Sequence, residues 1–283
     1  MKRLLAIGIG LLLLVPSLTL LTTIRKGTPS PGRLGPMPSF EVANIASLEY
    51  RLLLSELFFY DTVFYYGSLL DKPGERPDYA MIAQYVNMST RLNPYNIDAY
   101  YFGQAVLTWD AGMVKEMNAM LKRGFKARNW DFYLPFFAGF NYSYFLNDPG
   151  PAAEYMAEAA RLNPRATYLP TLAGRLYHQA NKTDLAIRYL KVVYEGTINE
   201  AIRKDIHVRI GALEASAFLD DAVKKFEAQK GHPPADISDL VKGNILKGIP
   251  PDPYGGQFYI DRSDGRVKTT SNMAFPRRTN ERH

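Results

Sequence analysis

The sequence predicts an all-α fold: a solenoid of paired short helices, carried on one N-terminal transmembrane helix and closed by a small α+β cap with a β-hairpin. Three observations predict it. Four glycines recur inside helical segments at Gly67, Gly103, Gly139 and Gly174, separated by 36, 36 and 35 residues. The run 4–24 carries no charge across 21 residues. Beyond residue 231 the helical period gives way to Pro- and Gly-rich turns and a short alternating stretch. Residues 1–24 are thus assigned to an anchor, 25–40 to a linker, 41–214 to the helical repeat domain and 215–283 to a separate C-terminal module.

Lys2 and Arg3 precede the apolar run that opens on Leu4, and Arg25 and Lys26 follow its last residue, Ile24. A bilayer core takes about 20 helical residues, so this run is long enough to span it. The alternative is a cleaved signal peptide, whose apolar region is about 7–15 residues and ends in a small-residue cleavage site. Ser17-Leu18-Thr19 is followed by more leucine, and no such site is evident. Basic residues flank both ends, and the preferred orientation leaves the short N-terminus inside and exports the bulk of the chain. Residues 25–39 carry four Pro and three Gly and read as an extended tether.

From residue 40 to about 214, apolar residues recur at helical spacing with breaks every 15 to 20 residues. A lone glycine inside a helix costs about 1 kcal/mol relative to alanine. Four at one period need a common cause, and close approach of neighbouring helices supplies one. Turn signals keep the same phase: Arg91-Leu92-Asn93-Pro94 returns as Arg161-Leu162-Asn163-Pro164, 70 residues later, and Ala127-Arg128-Asn129-Trp130 lies between them. Residues 41–70 read as one long opening helix.

These residues resemble the tetratricopeptide repeat family, whose unit is two antiparallel helices with a small residue at its eighth position, a large one three later and a proline at its end. The unit with Gly174, Tyr177, Ala186, Leu190 and Val193 matches best, and Gly139, Tyr142, Ala152, Met156, Ala159 and Pro164 form the one before it. Earlier units keep Gly67, Leu70 and Pro94, then Gly103 and Val106, but Lys115 stands where the second helix should carry alanine. The resemblance covers roughly residues 50–215 and implies a stacked array whose first helices line a concave groove. At 100° per residue, the positions three before, one after and four after each glycine lie on that face. They are Phe64, Tyr100 and Phe136, then Gln104, Phe140 and Arg175, then Leu107 and His178. So aromatic a groove suits a peptide or helix from another protein. The competing reading gives the same rings to the core.

The C-terminal module runs from Gly231-His232-Pro233-Pro234 through a short helix near 236–242 to Pro250-Pro251-Asp252-Pro253-Tyr254-Gly255-Gly256. Residues 257–261 alternate as a strand, Asp264-Gly265 is a two-residue hairpin signal, and 266–270 pairs back. Gly231, Pro233, Leu240, Pro250, Asp252, Pro253, Tyr254, Gly255, Phe258 and Tyr259 make this segment similar to type II secretion pseudopilins and type IV pilins. The likeness spans about 50 residues and implies the extracytoplasmic side of a bacterial membrane. The processing site of a polymerising pilin is missing, and the acids of a pseudopilin calcium site cannot be matched. The alternative is that the motif only caps the last apolar face of the solenoid.

Composition narrows the chemistry. With no cysteine and four histidines in 283 residues, a disulfide framework, a thiol nucleophile and Cys-ligated metals are excluded and a His-rich metal site is disfavoured. Thirty-four Lys and Arg against 28 Asp and Glu give a net charge of +6, spread along the chain instead of gathered into a nucleic-acid-binding stripe. His178 and His207 have no acid at triad spacing, Asp220-Asp221 read as solvated helix surface, and no phosphate-binding loop or zinc-protease motif occurs. The expectation is a non-enzymatic scaffold without cofactor or metal, anchored in a bacterial inner membrane, its bulk in the periplasm, and holding other envelope proteins or peptides of an assembly, a secretion or pilus machine being one candidate. The alternative is an exported protein that stacks a small molecule or glycan on its aromatic groove. A third reading is an accessory subunit of an enzyme.

Overall fold

The computed structural model describes residues 34–70, 72 and 74–271, together with Pro16 and Thr19. Among these, eleven α-helices, a 3-10 turn, a π-helical turn and two short strands make the chain a member of the all-α class. No described helix is long and apolar enough to cross a membrane. The run 4–24, on which the transmembrane expectation rests, lies outside the described residues apart from Pro16 and Thr19. The chain divides into two compact units that part between Met120 and Leu121.

In the first unit, α1 (Phe40–Ala46) starts where the Ser39 hydroxyl accepts the Val42 N–H. The expected single helix over 41–70 is broken. Ser47 bonds the Asn44 carbonyl, Leu48 takes a positive φ of 46°, and a 3-10 turn (Leu48–Tyr50) leads into α2 (Arg51–Leu70). Asp78 caps α3 (Tyr79–Leu92), accepting from the Met81 amide. Small residues let α2 and α3 approach: the Ser55 hydroxyl donates to the Ser89 carbonyl over 2.9 Å. Asn96 caps α4 (Ile97–Gly103), which widens directly into the π-helical turn Gln104–Asp110. Gly112, at φ 67°, admits α5 (Val114–Ala127).

In the second unit each helix packs on its neighbours along the chain: α6 (Tyr133–Tyr144), α7 (Pro149–Leu162), α8 (Tyr168–Gln179), α9 (Thr183–Gly196) and α10 (Glu200–Lys230). This nearest-neighbour stacking is solenoid-like. Its core holds Ala152, Met156, Ala173, Leu176, Leu190 and Ile210, among others. Alanine is common there because the helix backbones lie close. A methyl group on Gly139 would sit 3.2 Å from the Ala152 carbonyl oxygen, and one on Gly174 would meet Leu190 Cδ1 at 2.8 Å.

Helix α10 runs through the expected 214/215 boundary without a break, so repeat and C-terminal module share one helix. It ends where Gly231 adopts φ 76°, the left-handed cap that glycine favours. Leu219, Ala222, Val223 and Phe226 on its second half form a core with Ile237, Leu240, Phe258 and Val267. A short α11 (Asp239–Lys242) precedes the hairpin of β1 (Phe258–Ile260) and β2 (Val267–Thr269), which pair antiparallel with Tyr259 opposite Lys268. The turn is a longer loop, not the two-residue turn that Asp264-Gly265 suggests. The Asp261 amide donates to the Arg266 carbonyl, the Gly265 amide donates to the Asp261 carbonyl, and the Asp261 carboxylate takes the Ser263 amide.

Candidate functional site

Three surfaces stand out, and each lies within one unit. The first is the solvent face of α2. Ser55, Phe59, Thr62, Tyr65 and Leu69 point into the first unit, while Leu53, Leu57, Tyr60 and Phe64 point out, alternating by four and three residues. The inward stripe carries three hydroxyls and the outward stripe Leu, Leu, Tyr and Phe, which inverts ordinary amphipathicity. Phe64 is 70% exposed, and its ring stacks on Tyr60 at 6.3 Å. Val42, Ile45 and Leu48 extend the exposed apolar surface towards α1. Gly67 continues the stripe, and a methyl group there would meet nothing within 4 Å.

The second surface is a polar cleft of about 510 Å³ in the second unit. Arg175, His178 and Gln179 of α8 form one wall, Asp220 of α10 the floor, and Tyr259 with residues 264–271 of the hairpin the other wall. The Asp220 carboxylate accepts the Val267 amide at 2.9 Å, which holds the hairpin against α10. Burial raises the Asp220 pKa against the effect of that bond, so Asp220 is a half-buried tie and not the solvated surface its sequence suggests. His178 bonds Thr183 Oγ1 through Nδ1. Burial first, then the charges of Arg266 and Arg209, lowers its pKa and favours neutral imidazole. Lys268 pairs with both Asp261 and Asp264, and Arg266 donates to Asn181.

The third is an apolar groove of about 760 Å³ on another side of α8. Tyr177, Tyr189, Val192, Val193, Ile198 and Ile202 line it, and Ile198 is 95% exposed. The ion pair of Glu158 and Arg161, 2.6 Å long, stands at its rim.

The residues expected to line one groove are distributed differently. Arg175 and His178 meet in the polar cleft. Phe136 and Phe140 are half-buried on α6 against the second unit's core, with Phe140 stacked on Tyr144 at 5.2 Å. Phe64 stands on the α2 stripe, while Tyr100 and Gln104 are buried, Tyr100 completely. Tyr100 lies one turn before Gly103, where the helix is pressed against Val86 and Met117. Gln104 and Leu107 fall in the π-helical turn, where the 100° step no longer places residues. His207 is exposed beside Tyr194.

The pilin-like motif has a structural task. Asp252 is buried, and its carboxylate accepts the hydroxyls of Thr269 and Ser271 and the Tyr254 amide. Tyr254 lies under the Arg209 guanidinium, 4.9 Å from ring centre to Cζ, and packs on the helical core. Among the described residues no group of three or more His, Asp or Glu could hold a metal ion.

No protein-family model matches the chain, and no curated protein matches it at a significant level.

Proposed function

We propose that this protein is a membrane-tethered scaffold that captures an apolar helix of a partner protein on the outward stripe of α2, in an envelope assembly on the periplasmic side. The exposed stripe carries the reading. Leu53, Leu57, Tyr60 and Phe64 repeat with the alternating three- and four-residue spacing that a second helix can fill, and monomeric proteins rarely leave such a patch in water. Its continuity favours a macromolecule over a small ligand.

Charge separates a protein partner from a lipid surface. Between residues 40 and 70 stand Glu41, Glu49, Glu56 and Asp61 but only Arg51. Helices that lie on membranes carry Lys and Arg beside the apolar face, whereas these flanks would repel anionic lipid. The matching partner is an amphipathic helix with basic flanks.

The experiment is cross-linked co-purification of the full-length protein from its own membranes, alongside a Leu57→Ser, Phe64→Ser variant. A defined set of proteins held by the wild type and lost by the variant is the expected result. An identical set from both proteins would remove α2 from the interface.

A second reading, the binding of a small apolar molecule, is favoured by the groove beside Tyr177 and Tyr189. A rise in melting temperature with a panel of glycans and acyl chains, abolished by Tyr189→Ala, would promote it.

A further inference from the structure

Inside the polar cleft the charges do not match in pairs. Lys268 is held by Asp261 and Asp264, the latter at 3.0 Å. Arg266 bonds Asn181 and shares its field with Asp220. Arg175 is left over: among the described residues it has no ion pair and no hydrogen bond, and its Nε is buried without a partner. Arg209, 3% exposed, lies over the Tyr254 ring, and the like charge of Arg175 adds to the burial that lowers its pKa. A buried guanidinium donor with nothing to donate to is costly, and a second guanidinium nearby raises that cost. An anion seated on the part of the Arg175 guanidinium that lines the cleft offsets the second of these costs.

The walls also limit the anion. Asp220 and Asp264 line the same cleft, so a ligand with two charges on one group would face repulsion from them. One unmatched cation with a planar fork of donors fits a carboxylate, which an arginine binds through two parallel bonds. A cleft of about 510 Å³ is the size of an organic ligand or a few residues of peptide. Tyr259, partly exposed at the mouth, offers a ring and a hydroxyl to whatever carries the acid.

We propose that the cleft between α8 and the C-terminal hairpin is a binding site for a carboxylate-bearing ligand, seated on the Arg175 guanidinium. It is independent of the partner-helix reading, because its residues lie in the other unit. The carboxylate can belong to an acidic side chain of a peptide or to a free organic acid, and two probes separate these sources.

The test titrates the full-length protein with a blocked Gly-Glu-Gly peptide, with succinate and with inorganic phosphate, following heat release and the His178 ring signals. Saturable binding of the peptide points to a protein source, and saturable binding of succinate to a free acid. In either case Arg175→Gln weakens binding at least tenfold, and Arg175→Lys, which keeps the charge without the fork, weakens it less. Unliganded Arg175→Gln stays folded, since no ion pair or hydrogen bond among the described residues is lost and the shorter side chain keeps part of the packing. Binding that ignores both substitutions would overturn the proposal, as would phosphate binding more tightly than either carboxylate. Absence of saturation by both carboxylates up to millimolar concentration would overturn it as well.

Discussion

At Gly174 an added methyl group would enter Leu190, whereas at Gly67, three repeat periods earlier, it would enter open space. The two glycines share one sequence phase and different surroundings. In the second unit the phase marks the seam along which α8 and α9 close on each other. In the first unit the corresponding glycine lies on a stripe that no other described residue closes on, beside Leu57, Tyr60 and Phe64. A repeat unit buries its apolar face by stacking against the next one, so an unclosed seam is where an array has room for another helix.

The sharpest way to break this comparison lies within α2 itself. Phe59 faces the interior, its ring edge-on to Phe102 at 6.1 Å, and Phe64 faces solvent. Phe59→Ala should lower the unfolding free energy by about 3–5 kcal/mol, the range for a buried aromatic. Phe64→Ala should change it by no more than about 0.5 kcal/mol. Denaturant unfolding of both variants checks this, and equal losses would mean that the outward stripe is covered in solution.

The glycines give the next largest effect, with opposite signs. Gly174→Ala should destabilise by about 1–3 kcal/mol, because Leu190 must leave its rotamer or the helices must part. Gly67→Ala should stabilise by about 0.5–1 kcal/mol, because an open helical site gains alanine's propensity at no steric cost. Melting temperatures that move the same way in both would contradict the open-seam assignment.

Much of the architecture is legible in the sequence. The glycine period, the Asn-Pro turns and the end of the helical period at Gly231 are local signals, and local signals survive folding. Gly103, Gly139 and Gly174 do lie at close helix contacts, as the period implied. The groove was less legible for two physical reasons. The π-helical turn after Gly103 changes the angular step, so a register counted from that glycine misplaces Gln104 and Leu107. The wall opposite Arg175 comes from a hairpin about 90 residues later, and nothing in residues 264–271 announces that they fold back onto α8 and α10. The α2 stripe was open to view in the spacing of Leu53, Leu57, Tyr60 and Phe64. What sequence alone could not tell was which of two apolar faces the core would take, and the face with hydroxyls won because Ser55 and Ser89 permit close approach.

The smallest effect concerns how the cleft's hairpin wall is held, and pH reaches it through Asp252. Burial pushes the Asp252 pKa up, but bonds from the Thr269 and Ser271 hydroxyls and from the Tyr254 and Gly256 amides outweigh it and leave the pKa lowered. A carboxyl whose folded pKa is depressed contributes stability that is present above its unfolded value of about 3.9 and is lost as pH falls towards the folded one. Asp261 and Asp264 in the hairpin loop are lowered too, chiefly by Lys268, and act in the same direction. Asp220, raised by burial, acts in the opposite one. Acid should therefore loosen the end of the hairpin from the 252–256 turn while the α7–α9 core, held by apolar contacts, remains. The protection factors of the Gln257 and Thr270 amides, measured against the intrinsic exchange rate at each pH and set by bonds that tie the strand ends together, should fall between about pH 5 and pH 3. In Asp252→Asn the pH dependence should shrink, since a neutral amide has no proton to gain. An unchanged acid response in that variant would assign the loss to the loop carboxylates, and the wall of the cleft would then be set by Lys268 and its two partners.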